Sequence, residues 1–289
     1  MTILNENYTL ADGTKIPRLG LGTWLMDDAT ATTAVKNAVT AGYRMIDTAQ
    51  AYGNEAGVGE GIRACGIARD QLFVATKVAA EHKDYQSAKA SIDESLAKLG
   101  LDYVDQMIIH SPQPWVKVNQ SDDRYEEGNL AAWRALEEAW AAGKVRVIGV
   151  SNFLPGDIQN ILANGNVKPQ VNQVLAHISN TPFELLDYCS EKGILVEAYS
   201  PIAHGAVLDN ALVAEVASRY GVTPAQLCVR YCLELGMLPL PKATSAEHIA
   251  DNARVDFEIS ADDMELLRGA EHIKDYGDAS FFPVYGGKL

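Results

Sequence analysis

Short apolar runs recur along the chain, separated by longer mixed stretches. Runs at 18–22, 43–46, 72–76 and 104–109 are continuous enough to be strands buried on both faces. Further runs near Val145, Gln170, Ile194 and Met237 complete a set of eight. Between them, stretches near 29–41, 55–65, 87–99, 130–142 and 155–162 read as helices. Later helix starts are marked by Thr181-Pro182-Phe183-Glu184, Thr223-Pro224-Ala225-Gln226 and Ser260-Ala261-Asp262-Asp263. The first two offer a capping hydroxyl, an early proline and a Glu or Gln to close a capping box. Residues 9–16 read as a hairpin, because Asp12-Gly13 supplies the positive φ angles of a tight turn. Eight strands alternating with helices predict an α/β fold, a (β/α)8 barrel, in a single domain over 1–289.

Two stretches break the rule of short connections. Residues 111–129 hold Pro112, Pro114, Trp115 and many charges; residues 272–289 hold Tyr276, Phe281, Phe282 and Tyr285 among glycines. Long connections in compact domains tend to be functional or disordered, and the aromatics favour packing. Spacing alone leaves two placements for the second stretch, over the barrel mouth or along the outside of a helix.

Composition narrows the class. The 47% hydrophobic content is ordinary for a globular protein. The net charge of −14, from 24 basic and 38 acidic residues, argues against nonspecific nucleic-acid binding and against anionic membranes. The four cysteines, Cys65, Cys189, Cys228 and Cys232, form no Cys-x-x-Cys and read as reduced thiols. The start of the chain has neither a basic n-region nor a long apolar run, so a cytoplasmic location and no membrane span are expected.

The candidate chemistry lies at strand ends. Asp47 terminates the second apolar run, Lys77 the third and His110 the fourth, with Tyr52 in the loop after Asp47. Parallel barrels place their active sites at these C-terminal ends. Taken singly, Asp47 with Lys77 reads as a structural ion pair, His110 as a core histidine and Tyr52 as a loop aromatic. Suppose instead that a carbonyl sits at this mouth. Hydride addition builds charge on oxygen, so a proton donor must reach that oxygen. Tyr52 supplies the donor, Lys77 lowers its pKa, Asp47 holds Lys77, and His110 orients the carbonyl.

No Gly-x-Gly-x-x-Gly joins a strand to a helix. The glycine-rich Gly57-Val58-Gly59-Glu60-Gly61 falls within a helix, which disfavours a Rossmann site. Lys242 instead ends the last strand beside Ser245, a capping residue, where barrels commonly bind phosphate.

The ordered motifs Gly42-Tyr43-Arg44-x-Ile46-Asp47-Thr48-Ala49, Ala75-Thr76-Lys77, Ile108-Ile109-His110, Gly149-Val150-Ser151-Asn152-Phe153, Val171-Asn172-Gln173, Ala198-Tyr199-Ser200-Pro201 and Leu240-Pro241-Lys242 resemble the aldo-keto reductase family, in particular its bacterial 2,5-diketo-D-gluconate reductase-like members. The resemblance covers nearly the whole chain. It implies a hairpin closing the barrel bottom, a C-terminal loop over the mouth, and the tetrad Asp47, Tyr52, Lys77 and His110. It implies NADPH as cofactor, with Gly22, Thr23, Trp24 and Asp47 beside it. Ser151, Asn152 and Gln173 then hold the carboxamide and Tyr199 stacks on the nicotinamide. Ser200, Pro201, Ile202 and Ala203 line the pyrophosphate, and Lys242, Ala243, Thr244, His248 and Asn252 the adenosine phosphate. Ala243 stands where the family usually has Ser or Thr, and His248 where it usually has Arg. Arginine grips a phosphate with a planar fork at any pH; histidine does not. NADH use alongside NADPH is therefore expected, with discrimination that weakens as pH rises. Trp24, Tyr52, His110, Trp115, Phe281 and Phe282 are expected to shape an apolar pocket for a small carbonyl substrate, in a monomer. Two other readings stay open: a redox-sensing nicotinamide-binding barrel with slow turnover, and, more remotely, a metal-dependent barrel hydrolase.

Overall fold

The structure is a computed structural model that describes residues 2–286. Met1 and the last three positions of the expected tail, 287–289, lie outside the described residues. Strands β1 (Asn7–Thr9) and β2 (Lys15–Pro17) form an antiparallel hairpin. Eight parallel strands follow: β3 (Gly20–Gly22), β4 (Met45–Asp47), β5 (Phe73–Val78), β6 (Val104–Ile109), β7 (Val145–Ser151), β8 (Val171–Leu175), β9 (Leu195–Tyr199) and β10 (Leu238–Leu240). Each pairs with the next in chain order. The first and last meet at a single bridge, Gly22 with Lys242, where Gly22 N donates to Pro241 O at 3.1 Å. The seam is tight at its two glycines. A Cβ on Gly20 would stand 2.6 Å from a Leu240 methyl, and one on Gly22 3.0 Å from Leu240 O.

Helices α1 (Asp28–Ala41), α2 (Glu55–Ala64), α3 (Tyr85–Leu99), α4 (Glu126–Ala141), α5 (Pro155–Asn164) and α6 (Phe183–Glu191) each connect successive strands. Two helices, α7 (Ala211–Tyr220) and α8 (Pro224–Glu234), lie between β9 and β10; α9 (Ala246–Asp251) and α10 (Ala261–Arg268) follow. Strand residues alternate between two cores, as the period of two requires. Outward residues such as Ile46, Val74, Met107 and Ile148 pack against the helices. Inward residues Met45, Phe73, Ala75, Ile108, Val147, Val171, Leu238 and Leu240 fill the lumen, and Leu10 and Ile16 of the hairpin join that cluster.

Helix caps follow the sequence with one exception. Thr223 and Gln226 form the expected box on α8, and Ser260 caps α10. Thr181 does not cap α6. Its hydroxyl instead donates to His177 O at 2.9 Å and meets Tyr231 OH at 3.0 Å, leaving Pro182 at the helix start. Helix α4 begins at Glu126, so the long connection after β6 is shorter than expected. The glycine-rich segment lies in α2, where Gly57 and Gly59 pack directly on the main chain of Asp28 and Leu99. Among the described residues no helix is long and apolar enough to cross a membrane.

Candidate active site

The three polar strand ends converge. Asp47 is the last residue of β4, Lys77 the penultimate residue of β5, and His110 directly follows β6. Tyr52 ends a single 3-10 turn after β4 that the left-handed Gly53 terminates. Lys77 Nζ donates to Asp47 Oδ1 and Oδ2 at 2.8 and 2.7 Å and to Thr48 O at 2.8 Å. It meets Tyr52 OH at 3.3 Å. Lys77 is 1% exposed and Asp47 3%, so the pair is buried and stands only because it is fully bonded.

The electrostatics correct one expectation. Burial, with the Asp47 charge second, pushes the Tyr52 phenol well above its ordinary pKa instead of below it. Lys77 makes its shortest bonds to Asp47 and Thr48 and meets the phenol only at 3.3 Å. Tyr52 is therefore protonated through the neutral range, the form that donates. Burial, then the Lys77 and Lys83 charges, hold His110 well below the usual imidazole value, so His110 is neutral. The His110 ring meets Tyr52 at 5.6 Å and Trp115 at 4.9 Å between centroids, both edge to face.

A cavity of about 760 Å³ opens at this rim. That is room for a large ligand. Its inner wall carries Asp47, Tyr52, His110, Gln173, Ser151 and Asn152. Tyr199 OH donates to Asn152 Oδ1 at 2.8 Å, and Asn152 Nδ2 donates to His110 O at 3.1 Å, so these groups are tied to the tetrad. Gln173 Nε2 donates to Asp47 Oδ1 at 3.0 Å. From there the cavity runs across the seam past Gly22, Thr23, Ser200, Pro201 and Ile202 to Lys242, Ala243, Thr244, His248 and Asn252. Among the described residues Lys242 is the only lysine or arginine in this lining, and Glu247 and Asp251 add carboxylates to it along with His248. Burial lowers the Lys242 pKa. Ser200, Ala203 and His204 all adopt positive φ, so the loop after β9 bends sharply around the cavity.

The expected aromatic wall divides. Trp24, Trp115 and Phe282 line the cavity and pack together, Trp115 on Phe282 at 4.6 Å and Trp24 on Phe282 at 5.4 Å. Phe281 does not line it: it is 71% exposed, because the tail's 3-10 turn sends neighbouring side chains to different sides. Ala203 is fully buried in the outer core and also lies behind the lining. Lys77 sits behind Asp47 and Tyr52, reaching the cavity only through them. The tail crosses the mouth, as the family pattern implied. Tyr285 OH bonds Ser200 Oγ at 2.9 Å and His204 Nε2 at 2.7 Å, while Tyr276 OH bonds His177 Nε2 at 3.0 Å.

Sequence reading missed His204 and Asp251 in the lining, and Glu197 and Gln106 beneath it. Glu197 carried a signal: a carboxylate inside the apolar run 194–199 costs free energy unless it is used.

The comparisons with known proteins agree with this geometry. The model of the Aldo/keto reductase family matches residues 18–272. A glyoxal reductase of Bacillus subtilis is 40% identical over 268 residues, covering 92% of this chain and 93% of that protein. A 9,11-endoperoxide prostaglandin H2 reductase of Trypanosoma cruzi is 35% identical, covering 97% and 98%. Among solved structures, an aldo/keto reductase from Brucella melitensis superposes with a TM-score of 0.86 at 34% identity, covering 93% of this chain and 98% of that one. The Bombyx mori aldo-keto reductase in complex with NADP gives 0.85 at 31% identity, covering 98% and 99%. The chain belongs to the aldo/keto reductase family, and it is a nicotinamide-dependent oxidoreductase of carbonyl compounds. The metal-dependent hydrolase and the slow redox sensor are thereby set aside.

Proposed function

We propose that the protein reduces small aldehydes and dicarbonyls to alcohols, taking hydride from NADPH and a proton from Tyr52. One observation carries the reading: a protonated phenol and a neutral imidazole face one cavity, with a buried ammonium 3.3 Å behind the phenol. NADPH supplies the hydride. His110, neutral, donates a hydrogen bond to the carbonyl oxygen and fixes its approach. Tyr52 then gives its proton to the forming alkoxide, a stronger base than phenolate. Lys77, held by Asp47, stabilises the phenolate left behind. Ser151, Asn152 and the free oxygen of the Gln173 amide fit a carboxamide, Tyr199 a flat ring, and Lys242 a phosphate.

Trp24, Trp115 and Phe282 leave an aromatic slot beside His110, suited to compact, planar carbonyls. The glyoxal reductase relative supports methylglyoxal-like dicarbonyls as the substrate class. We read NADPH as preferred over NADH by a narrow margin, since the described lining that holds Lys242 also holds Glu247, Asp251 and His248 and no arginine. The chain is taken to act as a monomer of one domain, which sedimentation would check. The test is NADPH oxidation over a panel of methylglyoxal, 2,5-diketo-D-gluconate and aromatic aldehydes, with wild type and Tyr52→Phe. The variant is expected to lose ~10²–10⁴-fold in kcat while NADPH fluorescence titration shows unchanged affinity. Equal turnover by the two proteins would remove Tyr52 as the donor.

A further inference from the structure

Below the Asp47–Lys77 pair the lumen holds three more polar side chains: Gln106 on β6, Gln173 on β8 and Glu197 on β9. Gln106 and Glu197 are 0% exposed and Gln173 is 1% exposed. Gln173 Nε2 divides its hydrogens between Asp47 Oδ1 at 3.0 Å and Glu197 Oε2 at 2.8 Å. Gln106 Nε2 donates to the same Glu197 Oε2 at 3.0 Å. Two buried atoms of this cluster have no partner, Glu197 Oε1 and Gln106 Oε1. Both are acceptors, and the surrounding lumen side chains Met45, Ala75, Ile108, Val147 and Leu238 offer no donor. A proton on Glu197 Oε1 would give the cluster a donor that it otherwise lacks. A carboxylic acid and a primary amide pair through two parallel hydrogen bonds, and Gln106 Nε2 to Glu197 Oε2 is already one of them.

We propose that Glu197 is a positioning residue for carbonyl reduction, acting as a neutral acid that fixes the Gln173 amide against Asp47 and keeps a second negative charge away from the Asp47–Lys77–Tyr52 cluster. The proposal rests on the reading of Tyr52 as proton donor. The charged groups facing Glu197 are Asp47 on β4 and Lys77 on β5; β6 and β8 present the two amides, β7 and β10 present Val147 and Leu238, and β3 presents glycine. Burial, aided by Asp47 and opposed by the amides and Lys77, pushes the Glu197 carboxyl up to about 7. Once Glu197 ionises, its charge opposes loss of the Tyr52 proton, so reduction slows as pH rises through neutrality.

The experiment compares wild type, Glu197→Gln and Gln106→Leu, using the pH dependence of kcat/KM at saturating NADPH and infrared pH-difference spectra. In wild type, a buried carboxylic acid carbonyl band is expected to fade through neutral pH. In Glu197→Gln that band is absent. The ratio of kcat/KM near pH 8 to that near pH 6 is expected to rise about tenfold, the size of a one-unit shift. Gln106→Leu removes a donor that favours the carboxylate, so the infrared midpoint moves to higher pH. A wild-type pH profile in Glu197→Gln overturns the proposal. So does the lack of any buried acid band titrating near neutrality in wild type, which needs no variant to fold. Tyr52→Phe is expected to keep the band, so failure of the donor reading and failure of this proposal are told apart.

Discussion

At the scale of single residues, the candidate site was legible because its polar groups break the local pattern. Asp47, Lys77 and His110 are polar groups at the ends of apolar strands, and each was placed correctly at the rim. Their electrostatic state was not readable. The phenol's pKa is set first by its burial and second by the Asp47 charge, and the depth of that burial is a tertiary property that no single run of residues reveals. The adenosine end is the other residue-scale question. His248 and the carboxylates Glu247 and Asp251 share the lining with Lys242. His248→Arg places a planar cation there. NADPH affinity is expected to tighten by ~10-fold, on the order of one charge-assisted bond, with NADH affinity nearly unchanged; paired titrations of the two cofactors measure it. Equal tightening of both would show that residue 248 does not meet the 2′-phosphate.

At the scale of elements, periodicity found every strand, while boundaries moved by a few residues and one cap failed. Thr181 had the right neighbours for a box on α6, but tertiary bonds to His177 O and Tyr231 OH claimed its hydroxyl. A glycine's reason is likewise invisible in sequence. Gly59 in α2 looked like one member of a glycine cluster, yet it is the point where α2 rests on the end of α3. Gly59→Ala puts a methyl into the Leu99 carbonyl, so despite alanine's better helix propensity it is expected to cost about 1–3 kcal/mol, read by urea unfolding. The tail is held by a second device. Tyr276 is hydrogen-bonded to His177, whose pKa burial lowers to about 3. The unfolded histidine titrates at its ordinary 6.5. Stability from this group is therefore complete above that value and declines as pH falls towards about 3. Proteolysis of residues 272–286 is expected to accelerate between neutral pH and pH ~5, and His177→Gln is expected to weaken that dependence.

At the scale of the whole molecule, the barrel is closed by unequal seams. Seven neighbouring strand pairs carry regular registers, whereas β3 and β10 share one bridge at Gly22 and Lys242. The cavity crosses that seam, with Gly22 on one side and Leu240, Pro241 and Lys242 on the other. A dinucleotide bound there, as proposed, would add contacts where the sheet is thinnest. At a hundredfold excess over Kd it stabilises the fold by about 2.7 kcal/mol. Hydrogen exchange is expected to show the added protection concentrated in 20–24 and 238–244 rather than spread evenly around the sheet. Uniform protection would place the cofactor elsewhere. The seam was only half legible in sequence: eight strands implied closure, but not how closely Gly20 and Gly22 approach Leu240.

That same seam sets an order on biosynthesis. A nascent chain has all four rim residues by position 110, yet it lacks a wall for them until Leu238–Leu240 has left the ribosome. Until then Gly20–Gly22 and Leu195–Tyr199 are bare sheet edges, open to pairing with other chains. A message truncated before codon 238 is thus expected to yield an aggregation-prone product instead of a weak enzyme, which the split between soluble and pelleted fractions would show.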